Sequence, residues 1–198
     1  MKVKHWMIKE VIRISPEDTL GEALRLMREY SIRHLPVTEK DRLVGFLTES
    51  TLRQYVRPED LSRRVREIMI VRPITVSPEA TIEEAARLIY RHKIGGLPVV
   101  EGERLVGILT ITDLLEAFIE FMGLLRASSR IDVIPRDPEG LEGVLDLIRA
   151  HGGKVISIGM EMEPTGEKIY HIRLEKMPLE ALASALEVAG HRVVSLVE

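Results

Sequence analysis

Leu105-Val106-Gly107-Ile108-Leu109-Thr110-Ile111-Thr112-Asp113 is the stretch whose residue types and spacing can do chemistry. It reads as a short buried strand that runs into two hydroxyls and a carboxylate at the mouth of a helix. Hydroxyls and a carboxylate beside a helix N-terminus can hold a phosphate and a ribose together. The same residues also suit a plain helix N-cap, so both readings stand at this point. An earlier stretch repeats the pattern as Leu43-Val44-Gly45-Phe46-Leu47-Thr48-Glu49-Ser50-Thr51, with the hydroxyls kept and the carboxylate missing.

That repetition extends to the elements that must position these groups. Ser15-Pro16-Glu17 falls on Ser77-Pro78-Glu79 and Leu35-Pro36-Val37 on Leu97-Pro98-Val99, each 62 residues apart with no gap. About half the positions from Ile14 to Leu52 recur in this way, which marks an internal duplication. In each copy a short strand (Ile12 to Ile14, Ile74 to Val76) precedes a Ser-Pro turn. Thr19-Leu20-Gly21-Glu22 and Thr81-Ile82-Glu83-Glu84 read as capping boxes that open helices. Leu-Pro-Val strands then pair with the Leu-Val-Gly strands across short polar turns, and a second helix follows, Ser50 to Tyr55 or Thr112 to Phe121. The order is β-α-β-β-α, twice. Neither copy is large enough to bury its apolar face alone, so the two are expected to pack as a pseudo-twofold pair with two clefts between them.

The β-α-β-β-α repeat, the Leu-Pro-Val strand and the Gly-x-x-Thr-x-Thr-Asp ending resemble a tandem pair of CBS domains, a Bateman module. The resemblance implies binding of adenosyl compounds (AMP, ADP or ATP, sometimes S-adenosylmethionine) in the clefts, a hydroxyl meeting the phosphate and the aspartate the ribose. Carried over by position, Thr110 and Thr112 match the hydroxyls and Asp113 the ribose carboxylate. Thr75 and Val76 would lie by the adenine, and Gly95 and Gly96 by the phosphates, followed by Leu97 and Pro98. A second, weaker cleft would use Ile14, Arg33, His34, Thr48, Ser50 and Thr51. It has the basic residues that the first lacks, but Thr51 stands where the carboxylate would be.

Beyond Arg57-Pro58-Glu59-Asp60-Leu61-Ser62, Arg63, Arg64 and Arg66 read as a solvated face of a short helix. The helix from Thr112 runs on through Ala117, Phe118, Ile119, Phe121, Met122, Leu124 and Leu125, more apolar surface than one helix buries in a single module. Part of it is expected to contact the C-terminal domain or a second subunit, and a homodimer is expected. From Arg130 onward the pattern becomes β-α-β-β-α-β, the ferredoxin-like arrangement. Asp137-Pro138-Glu139-Gly140-Leu141 and Gly152-Gly153-Lys154-Val155 make this part resemble an ACT domain, which implies a small effector such as an amino acid. Glu139 interrupts the family's usual Pro-Gly pair. An RNA-binding sheet of this topology needs stacking aromatics, and only Tyr170 is offered. The expected fold is therefore α/β (α+β): CBS repeats over residues 1–61 and 62–126, then an ACT-like domain over 127–198, an arrangement resembling the acetoin-utilisation AcuB class.

Composition narrows the function classes. A net charge of −3 offers no general attraction to nucleic acid or anionic membrane, and no apolar run is long enough for a membrane span or a signal sequence. The cytoplasm is the expected location. There is no cysteine, so thiol chemistry and cysteine-bound metals are excluded. The absence of asparagine, with Gln54 the lone glutamine, fits a thermophilic source. His5, His34, His92, His151, His171 and His191 lack metal-site spacing, and no phosphate-loop or nucleophile motif occurs, so neither a metal nor a catalytic role is expected. The expectation is a regulatory ligand sensor binding an adenine nucleotide. The alternatives are a scaffold with vestigial clefts or S-adenosylmethionine as the ligand.

Overall fold

Thr19 caps the first helix, its hydroxyl accepting the Glu22 N–H at the start of α1 (Leu20–Glu29). The structure, a computed structural model, describes residues 1–55, 57–137 and 140–198, so the expectation that rests on Glu139 lies outside it. Leu20, Ala23 and Met27 of α1 are buried at helical spacing. The expected capping box is only half formed here, because the Glu22 carboxylate binds Arg25 instead. The hairpin β1 (His34–Glu39) and β2 (Arg42–Thr48) follows, then α2 (Glu49–Leu52) with a 3-10 turn over Arg53–Tyr55. A two-residue strand, β3 (Ile70–Val71), pairs with β2.

The second copy repeats the sequence of elements: α3 (Ile82–His92), β4 (Gly96–Glu101), β5 (Arg104–Thr110) and α4 (Ile111–Phe121). Here the capping box is complete, Thr81 accepting from the Glu84 N–H and Glu84 from the Thr81 N–H. The strands form one sheet of order β1-β2-β5-β4 with β3 beside β2. The two hairpins pair with each other at their turn ends, where Arg42 lies opposite Arg104. The expected leading strands shrink to single parallel bridges, Ile14 to Val37 and Val76 to Val99.

The segment ahead of each repeat packs into the other one. Val3 is fully buried in the second repeat's core, with Trp6 and Met7 against it, and Ile8 bridges Ile108 on β5. Val65 and Ile68, 62 residues on, are buried in the first repeat's core. Each buried aliphatic side chain of this kind contributes roughly 1.5–3 kcal/mol, so neither core is complete without the exchanged segment. The glycines of the Leu-Val-Gly strands make room for it: a Cβ at Gly107 would stand 2.6 Å from Met7 Sδ and 3.1 Å from the Ile8 carbonyl. At Gly45 the corresponding neighbours are Met69 Sδ, closer still, and the Ile70 carbonyl at 3.3 Å.

The chain divides into two compact units, Met1–Ala117 and Phe118–Glu198. The second consists of β6 (Ser128–Ile134), α5 (Glu142–Ala150), β7 (Val155–Met162), β8 (Lys168–Glu175), α6 (Glu180–Val188) and β9 (Arg192–Val197). Its four-stranded antiparallel sheet has the order β7-β8-β6-β9, the split β-α-β arrangement expected. Ile131, Val133, Ile172 and Leu174 on one sheet face form a core with Val144, Ile148, Leu182 and Leu186 from the helices. The opposite face carries a polar network. Asp132 is 5% exposed and accepts from Ser195 Oγ at 2.5 Å, while its other oxygen lies 2.9 Å from His171 Nδ1 and 3.1 Å from Arg130 Nε. Burial pushes the Asp132 carboxyl up, but the Ser195 and His171 hydrogen bonds and the Arg130 charge outweigh it and hold the group below its ordinary range.

Candidate ligand site between the repeats

Strand alternation sorts the hairpin residues into two sets. Leu35, Val37 and Leu47 point into the first repeat's core, and Leu97, Val99 and Leu109 into the second's. The intervening positions, His34, Pro36, Phe46 and Thr48 in the first repeat and Gly96, Pro98, Ile108 and Thr110 in the second, lie on the opposite face. Phe46 and Ile108 are 5% and 7% exposed but belong to neither core, as expected where one repeat covers the other. The contact is direct at one point. A Cβ at Gly95 would lie 2.8 Å from His34 Nε2, and one at Gly96 would lie 3.5 Å from His34 Cγ.

His34 thus fills the space that its own duplicate, Gly96, leaves open. Its ring stacks on Phe46 with centroids 5.7 Å apart and planes 12° from parallel. Burial pushes the imidazole below its ordinary 6.5, Arg33 pushes the same way, and Glu49 opposes them. A neutral ring can donate one hydrogen bond and accept another at the glycine pair.

At the end of β5 the Asp113 carboxylate accepts from the Thr110 N–H and hydroxyl, both at 2.7 Å, through the same oxygen, Oδ2. It sits in the first turn of α4, whose Ile111 N–H donates to the Gly95 carbonyl at 3.1 Å. Gly96 pairs directly with Thr110. Asp113, Thr110, Gly95, Gly96 and His34 are therefore neighbours, and Asp113 has the helix-capping role as well as a second oxygen. At the end of β2 the polarity is reversed. Thr48 Oγ1 accepts from the Thr51 N–H at 3.1 Å, and the two hydroxyls lie 3.0 Å apart. Ser50 and Thr112 are exposed and Thr75 is half-buried.

Several expected site residues lie elsewhere. Val76 and Leu97 are buried in the second repeat's core and Ile14 in the first's, because alternation turns their side chains away from the inter-repeat face. Pro98 is buried on that face. Arg33 and His34 do not share a cleft. His34 faces Gly95 and Gly96, whereas Arg33 lines a separate hollow with α1 and α2. The exchanged segments also create a wall that the sequence reading missed. Lys9 to Arg13 run from the Ile108 bridge on β5 to the Val37 bridge on β1 and enclose a cleft of about 360 Å³ against Leu105 and Val106. A signal for it existed, since Val3, Met7 and Ile8 recur as Val65, Met69 and Ile70 at the 62-residue shift. Arg13 is fixed there by Asp41 at 2.7 Å. Among the described residues no group of histidine and carboxylate side chains is arranged to hold a metal ion, and no helix is long and apolar enough to cross a membrane.

Comparison with known proteins agrees with this architecture. Residues 3–58 and 65–120 each match the CBS domain. The chain is 38% identical over 117 residues to the inosine-5'-monophosphate dehydrogenase of Methanocaldococcus jannaschii, an alignment covering 58% of this chain and 23% of that enzyme. It thus spans about a quarter of the dehydrogenase's length. It is 34% identical over 114 residues to the CBS domain-containing protein YhcV of Bacillus subtilis, covering 57% of this chain and 81% of that one. Among solved structures, a putative acetoin utilization protein (AcuB) from Vibrio cholerae superposes with a TM-score of 0.58 at 30% identity, covering 63% of this chain and 95% of that one. CBSX2 in complex with AMP gives 0.54 at 27% identity, covering 60% of this chain and 96% of that one. The CBS domain pair of protein MJ0100, in complex with 5'-methylthioadenosine and S-adenosyl-L-methionine, gives 0.55 at 28% identity, covering 60% and 95%. With both repeats matched and more than half its residues covered, the chain belongs to the CBS-domain family.

Proposed function

We propose that this protein is a regulatory sensor that binds an adenine nucleotide between its two CBS repeats, at the end of β5. The observation that carries this reading is the convergence of Thr110, Asp113, Gly95, Gly96 and His34 at one place. The second Asp113 oxygen would accept from the ribose hydroxyls, and Thr110 and Thr112 would meet the phosphate. The base would lie against β5 under the Lys9–Arg13 strap. The binding of AMP by CBSX2 supports the ligand class. The Thr51 side would be the weaker cleft, for want of a carboxylate. Calorimetric titration with AMP, ADP and ATP tests the reading: one of them should bind saturably, and Asp113→Asn should weaken it at least about tenfold, the loss of one charged hydrogen-bonding group. No heat from any of the three would leave a scaffold with vestigial clefts.

One observation favours a second ligand. Gly95 and Gly96 bring no cation, and burial disfavours charge on the nearby His34, so the site compensates little phosphate charge. 5'-Methylthioadenosine or S-adenosylmethionine, the ligands of the MJ0100 pair, would suit it. For the C-terminal unit we propose an ACT-like regulatory role with a small effector such as an amino acid. The apolar surface of α4 would join two copies of the chain. Ligand occupancy would then act by favouring one arrangement of that dimer over another. No catalytic role is proposed.

A further inference from the structure

A second cleft, of about 530 Å³, lies in the first repeat, between the C-terminal half of α1, the turn after it and α2. Its floor is apolar, made by Leu24, Met27, Ile32 and Leu52. Its rim is cationic: Arg28, Arg33 and Arg53 surround it, with Ser31 and Glu49 between them. Arg53 is held by Glu49 at 2.9 Å, and Arg25, one turn from Arg28, is occupied by Glu22 and Glu29. Arg28 and Arg33 have no ion-pair partner among the described residues. Three guanidinium groups against one carboxylate leave two positive charges on a hollow with an apolar base.

The duplication supplies an internal control. Shifted by 62 residues, the floor stays apolar, with Ala86, Ile89, Ile94 and Leu114 replacing Leu24, Met27, Ile32 and Leu52. The rim changes in kind: Ser31 becomes Lys93, and the arginines are lost. Arg28, Arg33 and Arg53 become Tyr90, Gly95 and Leu115, and Glu49 becomes Ile111. Tyr90, Ile111 and Leu115 are exposed at 87%, 52% and 56%. The fold therefore does not require charge at these positions, and the arginines are specific to one copy. Guanidinium groups bind carboxylates and phosphates in a bidentate fork, and a hollow of a few hundred Å³ with an apolar floor is the usual form of a small-ligand site.

We propose that this cleft binds a small organic anion, a carboxylate or phosphate on an apolar body, with Arg28 and Arg33 holding the anionic group and Met27 and Leu52 the body. The site is distinct from the inter-repeat one, because its lining includes Arg33 but not His34, Gly95, Gly96, Thr110 or Asp113, and it stands whether or not adenine nucleotides bind.

The test uses the full chain labelled on its methionine methyls, with phenyl phosphate and benzoate as probes. The Met27 resonance should move saturably with at least one of them, with a Kd of about 1 mM or tighter. A response to one probe alone identifies the anion, and a response to both shows that the apolar body and charge suffice. Arg28→Ala with Arg33→Ala should weaken binding at least about tenfold while leaving the melting temperature in place, since both side chains are exposed and unpaired. Leu24→Trp, which fills the floor without touching the arginines, should block it too. Asp113→Asn should leave it unchanged. The absence of a saturable shift with either probe, or binding unaltered in the double variant, would overturn the proposal.

Discussion

Asp113 has one oxygen occupied by Thr110 and a second one free to take part in recognition, and substitutions separate the two roles. Asp113→Ala removes both the cap and the acceptor and should cost about 1 kcal/mol of stability besides abolishing nucleotide binding. Asp113→Asn retains an oxygen for the cap, so chemical denaturation should show a smaller loss while calorimetry shows the same loss of ligand. His34 gives a pH signature. Its pKa is depressed in the folded protein, so the unfolded chain takes up the proton first as pH falls below 6.5, and stability declines from there until the folded ring also charges. Denaturation midpoints of the wild type should therefore drop relative to those of His34→Gln as pH falls below 6.5. If a ligand phosphate sits beside this ring, it raises the pKa and binding draws in a proton. AMP affinity should then increase as pH falls through the same range, and that of 5'-methylthioadenosine should not. Asp132 works with the opposite sign. Its depressed pKa supplies stability that is present above 3.8 and lost as pH falls below that value through the folded one. Asp132→Ala, which strands Ser195 and His171, should cost roughly 2–4 kcal/mol in denaturant unfolding. None of these environments was legible from residue type alone. Asp113 and the hydroxyls stood out because a motif recurs around them, but the direction in which His34 or Arg33 points depends on strand parity and on what the other repeat presents.

At the scale of elements, most of the fold could be read from periodicity. The capped helices, the Leu-Pro-Val and Leu-Val-Gly hairpins and the C-terminal β-α-β-β-α-β order all appear, although α4 ends at Phe121 rather than running on to Leu125. The exchange of leading segments did not, because Ile12 to Ile14 and Ile74 to Val76 alternate like ordinary strands while pairing through single bridges. What decides the exchange is tertiary: the hairpin edges at Gly45 and Gly107 are bare enough for backbone to approach, and the incoming Met69 and Met7 cover them. Gly107→Ala should therefore destabilise the protein by about 1–3 kcal/mol, since the Met7 side chain can swing away but the Ile8 carbonyl cannot. Trp6, the lone tryptophan, packs on the second repeat's core and reports on it by fluorescence. Val3→Ala should lower the denaturation midpoint of that signal by roughly 2 kcal/mol, as for any buried methyl loss that leaves a cavity. If the tryptophan signal and the unfolding of the first repeat shift equally, the two repeats unfold as one cooperative block. A shift confined to tryptophan would show that each core melts separately.

At the scale of the whole molecule, the duplicated surfaces have diverged in chemistry. On the first repeat the outer rim is arginine-rich, and on the second the equivalent positions are apolar and continue along α4. Ile111, Leu115, Phe118 and Phe121 are 52%, 56%, 37% and 61% exposed, and their spacing of four, three and three residues keeps them on one stripe. An apolar stripe of this kind would suit an association site, and two copies sharing it would bury the helix seams against each other. A dimer held in this way dissociates on dilution, so the melting temperature of the wild type should fall as the protein concentration is lowered. Leu115→Glu with Phe118→Glu places like charges in the seam and should give a monomer by sedimentation velocity, with the calorimetric affinity for nucleotide retained if the ligand site lies within one chain. Sedimentation of the wild type as a monomer at all accessible concentrations would remove the dimer. The apolar stripe would then need another partner, and any regulatory signal from the clefts would have to leave the molecule by a different face.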